Sequence, residues 1–180
     1  MNAYPQSANC DGRIFVREFQ DGDEAVFERL NRTWIEKYFS LEDKDRTTLA
    51  NPRKYIVENG GEVFLAVLAD DIVGCVAIAA LDASTFEIAK MAVDELFQKR
   101  GVGRALMNAA ISWARERRAQ RLWLETNHIL TSAIRLYESC GFKHLPPEKC
   151  LPSPYQRSDV QMELWIDDLG TKESVSEDSN

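Results

Sequence analysis

The segment Gln98-Lys-Arg-Gly-Val-Gly103, followed by Arg104-Ala-Leu-Met, sets two glycines and three cations side by side. Gly101 and Gly103 carry no Cβ, so backbone N–H groups there can approach a ligand closely. The apolar-striped stretch that follows reads as a helix. Its first turn would aim unsatisfied N–H groups, and the positive end of its dipole, at the same place. Such a loop is built to hold phosphate through the N–H groups of Lys99 to Arg104, Val102 included. Lys99, Arg100 and Arg104 can add side-chain charge, and an ordinary tight turn before a helix is the bland reading. Two other phosphate patterns do not fit. A Walker A loop requires Gly-Lys-Ser/Thr, whereas Gly103 is followed by Arg104-Ala105. A dinucleotide fingerprint requires a third glycine, where Leu106 stands.

Other chemistries find less support. The cysteines, Cys10, Cys75, Cys140 and Cys150, form no CxxC pair, and neither His128 nor His144 has ligand spacing with them, so no metal is expected. The first ten residues lack the basic segment and apolar core of a signal peptide. Reduced thiols and a cytoplasmic location are therefore expected. No apolar run reaches the ~18 residues of a membrane span, so no membrane partner is expected.

Charge excludes little. The chain of 180 residues has a formal charge of −7, but residues 167–180 hold five of the acids and one lysine, leaving 21 basic and 24 acidic residues elsewhere. That near balance implies no nucleic-acid partner. The arginines at 115, 117, 118 and 121 read as a solvated helix end that complements the dipole. Residues 1–10 and 167–180 read as tails, the second acidic and too polar to pack, around a single domain over 11–166.

The elements that must position the loop follow from periodicity. Arg13–Phe19 reads as a strand. Asp21 or Asp23 then caps a helix whose face is Val26, Leu30, Trp34 and Tyr38. Residues 41–50 form a second short helix, stopped by Asn51-Pro52. The runs 62–69 and 72–80, separated by Asp70-Asp71, read as a hairpin, and a strand from Thr85 to Val93 completes a meander. The helix after the glycine loop buries Val102, Ala105, Leu106, Ala109, Ala110 and Trp113 and ends near Arg118. Strand 121–126, a helix capped by Thr131 and ended by Gly141, and strands from Phe142 and over 160–166 follow. The class is α/β (α+β): a mixed, mostly antiparallel sheet with helices on both faces.

This order and these motifs resemble the GCN5-related N-acetyltransferase (GNAT) superfamily, over about Arg13 to Ile166. Gln98-Lys-Arg-Gly-Val-Gly103 matches the family's Gln/Arg-x-x-Gly-x-Gly/Ala signature. Leu122–Thr126, Asn127, Tyr137 and Gly141-Phe142 match its second element of strand, asparagine, helix tyrosine and Gly-Phe. Glu-Ile-Ala-Lys-Met-Ala-Val, Leu-Glu-Thr-Asn and Pro-Tyr-x-Arg are similar to a bacterial-type subgroup of small acetyltransferases.

The resemblance implies the GNAT acyl-CoA N-acyltransferase fold and an N-acetyltransferase that moves acetyl from acetyl-CoA, as co-substrate, to a primary amine by direct attack in a ternary complex. It implies that Gln98 to Arg104 cradle the pyrophosphate, that the backbone of Met91, Ala92 and Val93 pairs with the pantetheine arm, and that Asn127 contacts that arm. It implies Glu87 as the base, acting directly or through water, and Tyr137 as the acid; a strand carboxylate and a core aromatic are the structural alternatives. Glu36, Tyr38 and Phe39 are implied on one side of the acceptor pocket, with Tyr155 and Arg157 on the other. Arg157 would clamp a substrate carboxylate, or else sit in a structural salt bridge. The acceptor is expected to be a small amine or amino-acid-like metabolite. The rivals are a protein lysine or N-terminal acetyltransferase and a non-catalytic acyl-CoA-binding module. Dimerisation is common in such folds, and no residue here fixes it.

Overall fold

The computed structural model describes residues 12–166, so the two expected tails lie outside the described residues. The chain runs β1 (Phe15–Glu18), α1 (Glu24–Tyr38), α2 (Asp43–Ala50), α3 (Pro52–Tyr55), β2 (Glu62–Leu68), β3 (Asp71–Ala80), β4 (Thr85–Val93), α4 (Val102–Glu116), β5 (Arg121–Thr126), α5 (Thr131–Ser139), β6 (Lys143–His144) and β7 (Val160–Trp165). The described strands form one sheet in the order β1-β2-β3-β4-β5-β7-β6. Every neighbouring pair is antiparallel except β4 and β5. The mixed, mostly antiparallel sheet expected from the sequence is the one observed.

Strand alternation sorts the core into two faces. Phe64, Val76, Ile78, Phe86, Ile88, Leu122 and Leu124 point to one side, where α4 buries Leu106, Met107, Ala110 and Trp113 against them. Val63, Leu65, Cys75 and Ala77 point to the other, against Phe27, Leu30 and Ile35 of α1 and Leu49 of α2. Gly74 lets α4 seat closely on β3, because a Cβ there would lie 3.0 Å from Val102 Cγ1 and 3.2 Å from Leu106 Cδ1.

Several local details differ from the expectation. The β2–β3 turn is Ala69-Asp70 rather than Asp70-Asp71. Both residues have positive φ, 49° and 71°, the primed turn whose twist suits a two-residue hairpin. Asp23 stands at the start of α1, but its carboxylate accepts from Arg17 and the Gln20 N–H instead of capping the helix. Pro52 ends α2 and also opens α3, since a proline at the first helical position loses no hydrogen bond. In α5 the expected apolar face is only partly covered: Tyr137 is buried, whereas Ala133, Leu136 and Cys140 are half-buried. Ala133 and Leu136 line an open groove.

The feature that shapes the site is the parting of β4 and β5. They pair only over Thr85–Glu87 and Arg121–Trp123. Beyond that point β4 carries an irregularity in its register with β3, where Ala77 faces Ala89 and Cys75 faces Ala92. Lys90 sits in that irregularity with φ 49°, the left-handed backbone that a bulge tolerates. The bulge turns β4 away from β5 and opens a wedge between them.

Candidate active site

Two cavities meet in that wedge. A groove of about 610 Å³ is lined by Gln98, Lys99, Gly101, Gly103 and Arg104 on the α4 side and by residues 129–133 on the α5 side, with Met91 and Val93 at its floor. A narrower cleft of about 90 Å³ lies on the α1–α2 side, lined by Glu87, Lys90, Glu125, Tyr155 and Arg157 among others. Trp34, Met91, Thr126, Leu130 and Tyr137 line both cavities, so they mark where the two communicate.

The groove fits a phosphate-bearing ligand. Gly101 starts α4 at φ 87° with no side-chain cap, and the first turn contains no acid. Ala105 is the first amide to bond back, to the Gly101 carbonyl, which leaves the earlier N–H groups without a helical acceptor. A Cβ on Gly103 would lie 3.0 Å from Leu136 Cδ2 and 3.3 Å from Met91 Cε, narrowing the groove where the loop faces α5. Lys99, with φ 59°, is exposed on the groove wall. Between Ile88 and Val93, β4 has no pairing with β5, so its inner edge is open to an extended ligand.

Other side chains of the expected cradle are engaged within the fold. Arg104 lines the groove, but its guanidinium donates to the Ser139 carbonyl at 3.1 Å and ties α4 to the end of α5. Gln98 donates to the Val93 carbonyl at 3.3 Å. Arg100 lies over the Phe97 ring, with 5.4 Å from Cζ to the centroid. Val102 and Ala92 are buried in the core. Asn127 lines the cleft rather than the groove. Its amide donates to the Arg157 carbonyl at 2.6 Å and accepts from the Ile129 N–H at 3.0 Å, fixing the turn after β5.

The residues expected on the acceptor side do not gather in one pocket. Glu36 faces away from both cavities and pairs with Arg32 on the surface of α1. Tyr38 lines the groove, not the cleft. Arg157 lines the cleft, but its guanidinium fork is closed on Asp45, at 2.6 and 2.9 Å, and on Glu42 at 3.0 Å. It is therefore bound internally rather than open to a substrate carboxylate. Tyr155 is buried in the cleft wall, where its hydroxyl meets Lys90 Nζ at 2.7 Å.

At the centre of this arrangement is Asp45, fully buried, which the sequence reading did not single out. It accepts from Lys90 Nζ at 2.6 Å as well as from Arg157. Burial alone would raise its carboxyl. The Arg157 hydrogen bonds and the Lys90 charge outweigh burial and hold it below the ordinary carboxylate range. One carboxylate thus fastens α2, the β4 bulge and the loop before β7 together.

Two titrating groups stand out here, Glu87 in the cleft and Tyr137 at the junction. Burial raises the Glu87 carboxyl, with the charge of Glu125 pushing the same way and Lys44 and Lys90 opposing. Burial pushes the Tyr137 phenol up to about 12, so it keeps its proton at neutral pH. Cys75, beside Asn31, is pushed up to about 12 by burial as well and is no thiolate nucleophile. Among the described residues no cluster of metal ligands occurs, and no helix is long and apolar enough to cross a membrane.

Comparison with known proteins agrees with this geometry. Residues 24–142 match the model of the acetyltransferase (GNAT) family. The N-acetylaspartate synthetase of Rattus norvegicus is 33% identical over 107 residues, 58% of this chain and 36% of that protein. Streptothricin acetyltransferase A of Bacillus subtilis is 33% identical over 115 residues, covering 64% of this chain and 62% of its own length. The [ribosomal protein bS18]-alanine N-acetyltransferase of Salmonella typhimurium is 38% identical over 86 residues, or 47% and 58%. The chain thus spans less than two thirds of the length of each of these relatives. Among solved structures, a GNAT-family acetyltransferase of Staphylococcus aureus superposes with a TM-score of 0.78 at 19% identity, covering 86% of this chain and 99% of that one. Salmonella typhimurium yncA, solved with acetyl-CoA, gives 0.66 at 17% identity, covering 93% and 99%. At these identities the structures speak for the fold.

Two outcomes follow. Asp45→Asn leaves Lys90 and Arg157 short of a buried counter-charge and is expected to cost about 3–5 kcal/mol in urea unfolding. Because the Asp45 carboxyl is depressed in the folded state, its contribution is present above the ordinary carboxylate pKa and is lost as pH falls through its lower folded value. Gly103→Val is expected to weaken acetyl-CoA binding at least about tenfold by calorimetry, by filling the groove at Leu136 and Met91.

Proposed function

The chain belongs to the acetyltransferase (GNAT) family; we propose that it is an acetyl-CoA-dependent N-acetyltransferase whose acceptor is a small primary amine that enters the cleft beside Glu87 and attacks the thioester directly in a ternary complex. One observation carries this reading. Tyr137 lines both the groove and the cleft, with Glu87 on the cleft side.

Bound acetyl-CoA supplies an activated acetyl thioester in the groove. The uncapped start of α4, with Lys99 beside it, holds the pyrophosphate. The unpaired edge of β4 from Met91 to Val93 receives the pantetheine arm and offers an N–H to the thioester oxygen. An alkyl amine is mostly ammonium at neutral pH and must lose a proton before it can attack. Glu87, its carboxyl raised by burial, is a stronger base than a surface glutamate and takes that proton directly or through one water. Tyr137 retains its proton until the carbon–sulfur bond breaks and then donates it to the departing sulfur.

The relatives' names divide between small-molecule acceptors and a ribosomal protein. The narrowness of the cleft, about 90 Å³, supports the small acceptor. A protein acceptor is the second reading, favoured by likeness to the bS18-alanine enzyme. Labelled acetyl-CoA incubated with a cell extract separates them, because the label goes to the small-molecule fraction or to protein.

Thiol release over an amine panel tests the chemistry. Glu87→Gln and Tyr137→Phe are each expected to lower kcat/KM by about 100-fold or more. In the native enzyme kcat/KM falls as Glu87 becomes protonated, at a pH above the usual carboxylate range, because its folded pKa is raised. The Gln variant loses that limb. Unchanged rates in both variants would remove them from the chemistry.

A further inference from the structure

Glu125 lines the same cleft as Glu87, and no mechanistic step above uses it. Both its carboxylate oxygens are buried, and neither has a hydrogen-bond partner among the described residues. The β4–β5 register explains its position. Glu87 lies opposite Trp123, and Glu125 is two residues further along β5 on the same face. The two strands have begun to part there, and both side chains line the cleft, where the charge of Glu125 acts on Glu87.

The cations around the cleft act on this pair only at a distance, Lys44 and Lys90 lowering Glu87 by their charge without bonding to it. Among the described residues, Lys90 and Arg157 are the cationic side chains in its lining, and Asp45 binds both. Glu42 takes a further contact with Arg157. Lys44 lies over the Tyr155 ring, 5.0 Å from its centroid, and reaches Glu87 by its charge rather than through a bond. A buried carboxylate without a partner is costly, and a chain that keeps one in a ligand cleft has left its partner to the ligand.

Resting on the reading of this cleft as the acceptor site, we propose that Glu125 is a specificity residue that binds a second cationic centre of the acceptor. The acceptor class is thus a diamine or similar polycation, not an amino acid. Glu87 meets the reacting nitrogen, and Glu125 holds the other end. An acceptor carboxylate would face two glutamates and find Arg157 already engaged.

Three probes of matched length decide the point: putrescine, butylamine and γ-aminobutyrate. Calorimetry with CoA present measures binding, and thiol release measures kcat and KM, for the native chain and Glu125→Gln. Putrescine is expected to bind at least tenfold more tightly than butylamine, with γ-aminobutyrate weakest. It is also expected to raise the melting temperature. In Glu125→Gln the putrescine advantage collapses toward one, through KM rather than kcat. Equal binding of putrescine and butylamine by the native chain overturns the proposal, whether or not the variant folds. So does an advantage that survives Glu125→Gln. Diamine-selective binding without thiol release on any probe would leave Glu125 in its role and sink the catalytic reading instead.

Discussion

The structure turns on the parting of two parallel strands. β4 and β5 share only three residue pairs before their edges separate. A strand edge with no neighbour must find partners for its N–H and C=O groups, or leave them open to a ligand. Here the wedge leaves them open and joins two cavities: a groove toward the glycine loop of α4 and a cleft toward α1 and α2. Closing the wedge would pair the backbone and abolish the site.

The separation is held from the side by Asp45. A lysine in left-handed backbone on β4, a carboxylate on α2 and an arginine on the loop before β7 form one buried ion-paired group. Such groups add less to stability than their short distances suggest, because each charge loses its water. What this one supplies is position. It fixes the bulge, and with it the direction in which β4 leaves β5. It also binds the two cations that line the cleft, so neither glutamate there has an ion-pair partner among the described residues.

Much of this was legible in the residues. The glycine spacing at 101 and 103 located the groove, because close backbone approach and a helix start are both local properties. Glu87 and Tyr137 were found by their place in motifs; both line the cleft, and Tyr137 lines the groove as well. The acceptor side was read less well. Glu36 and Tyr38 were placed by analogy with a pocket, yet one faces another surface and one lines the groove, while Arg157 takes the structural salt bridge that was its alternative reading. Their partners come from distant stretches of chain, and no spacing encodes an Asp45–Arg157 contact. Glu125 did have a local signal. It alternates with Trp123 on the face opposite Leu122 and Leu124, which places a carboxyl on the Glu87 side of the sheet. Lys90 had a weaker one, a charge between apolar neighbours of β4.

The central claim is that amine and thioester occupy adjoining cavities at the same time and react across Tyr137 and Glu87. Initial velocities measured over a grid of acetyl-CoA and amine concentrations test it most directly. Double-reciprocal lines that intersect are the predicted result, as required when both ligands must be bound before any product leaves. Parallel lines, with transfer of labelled acetyl to the protein in the absence of amine, would contradict it and require a covalent carrier.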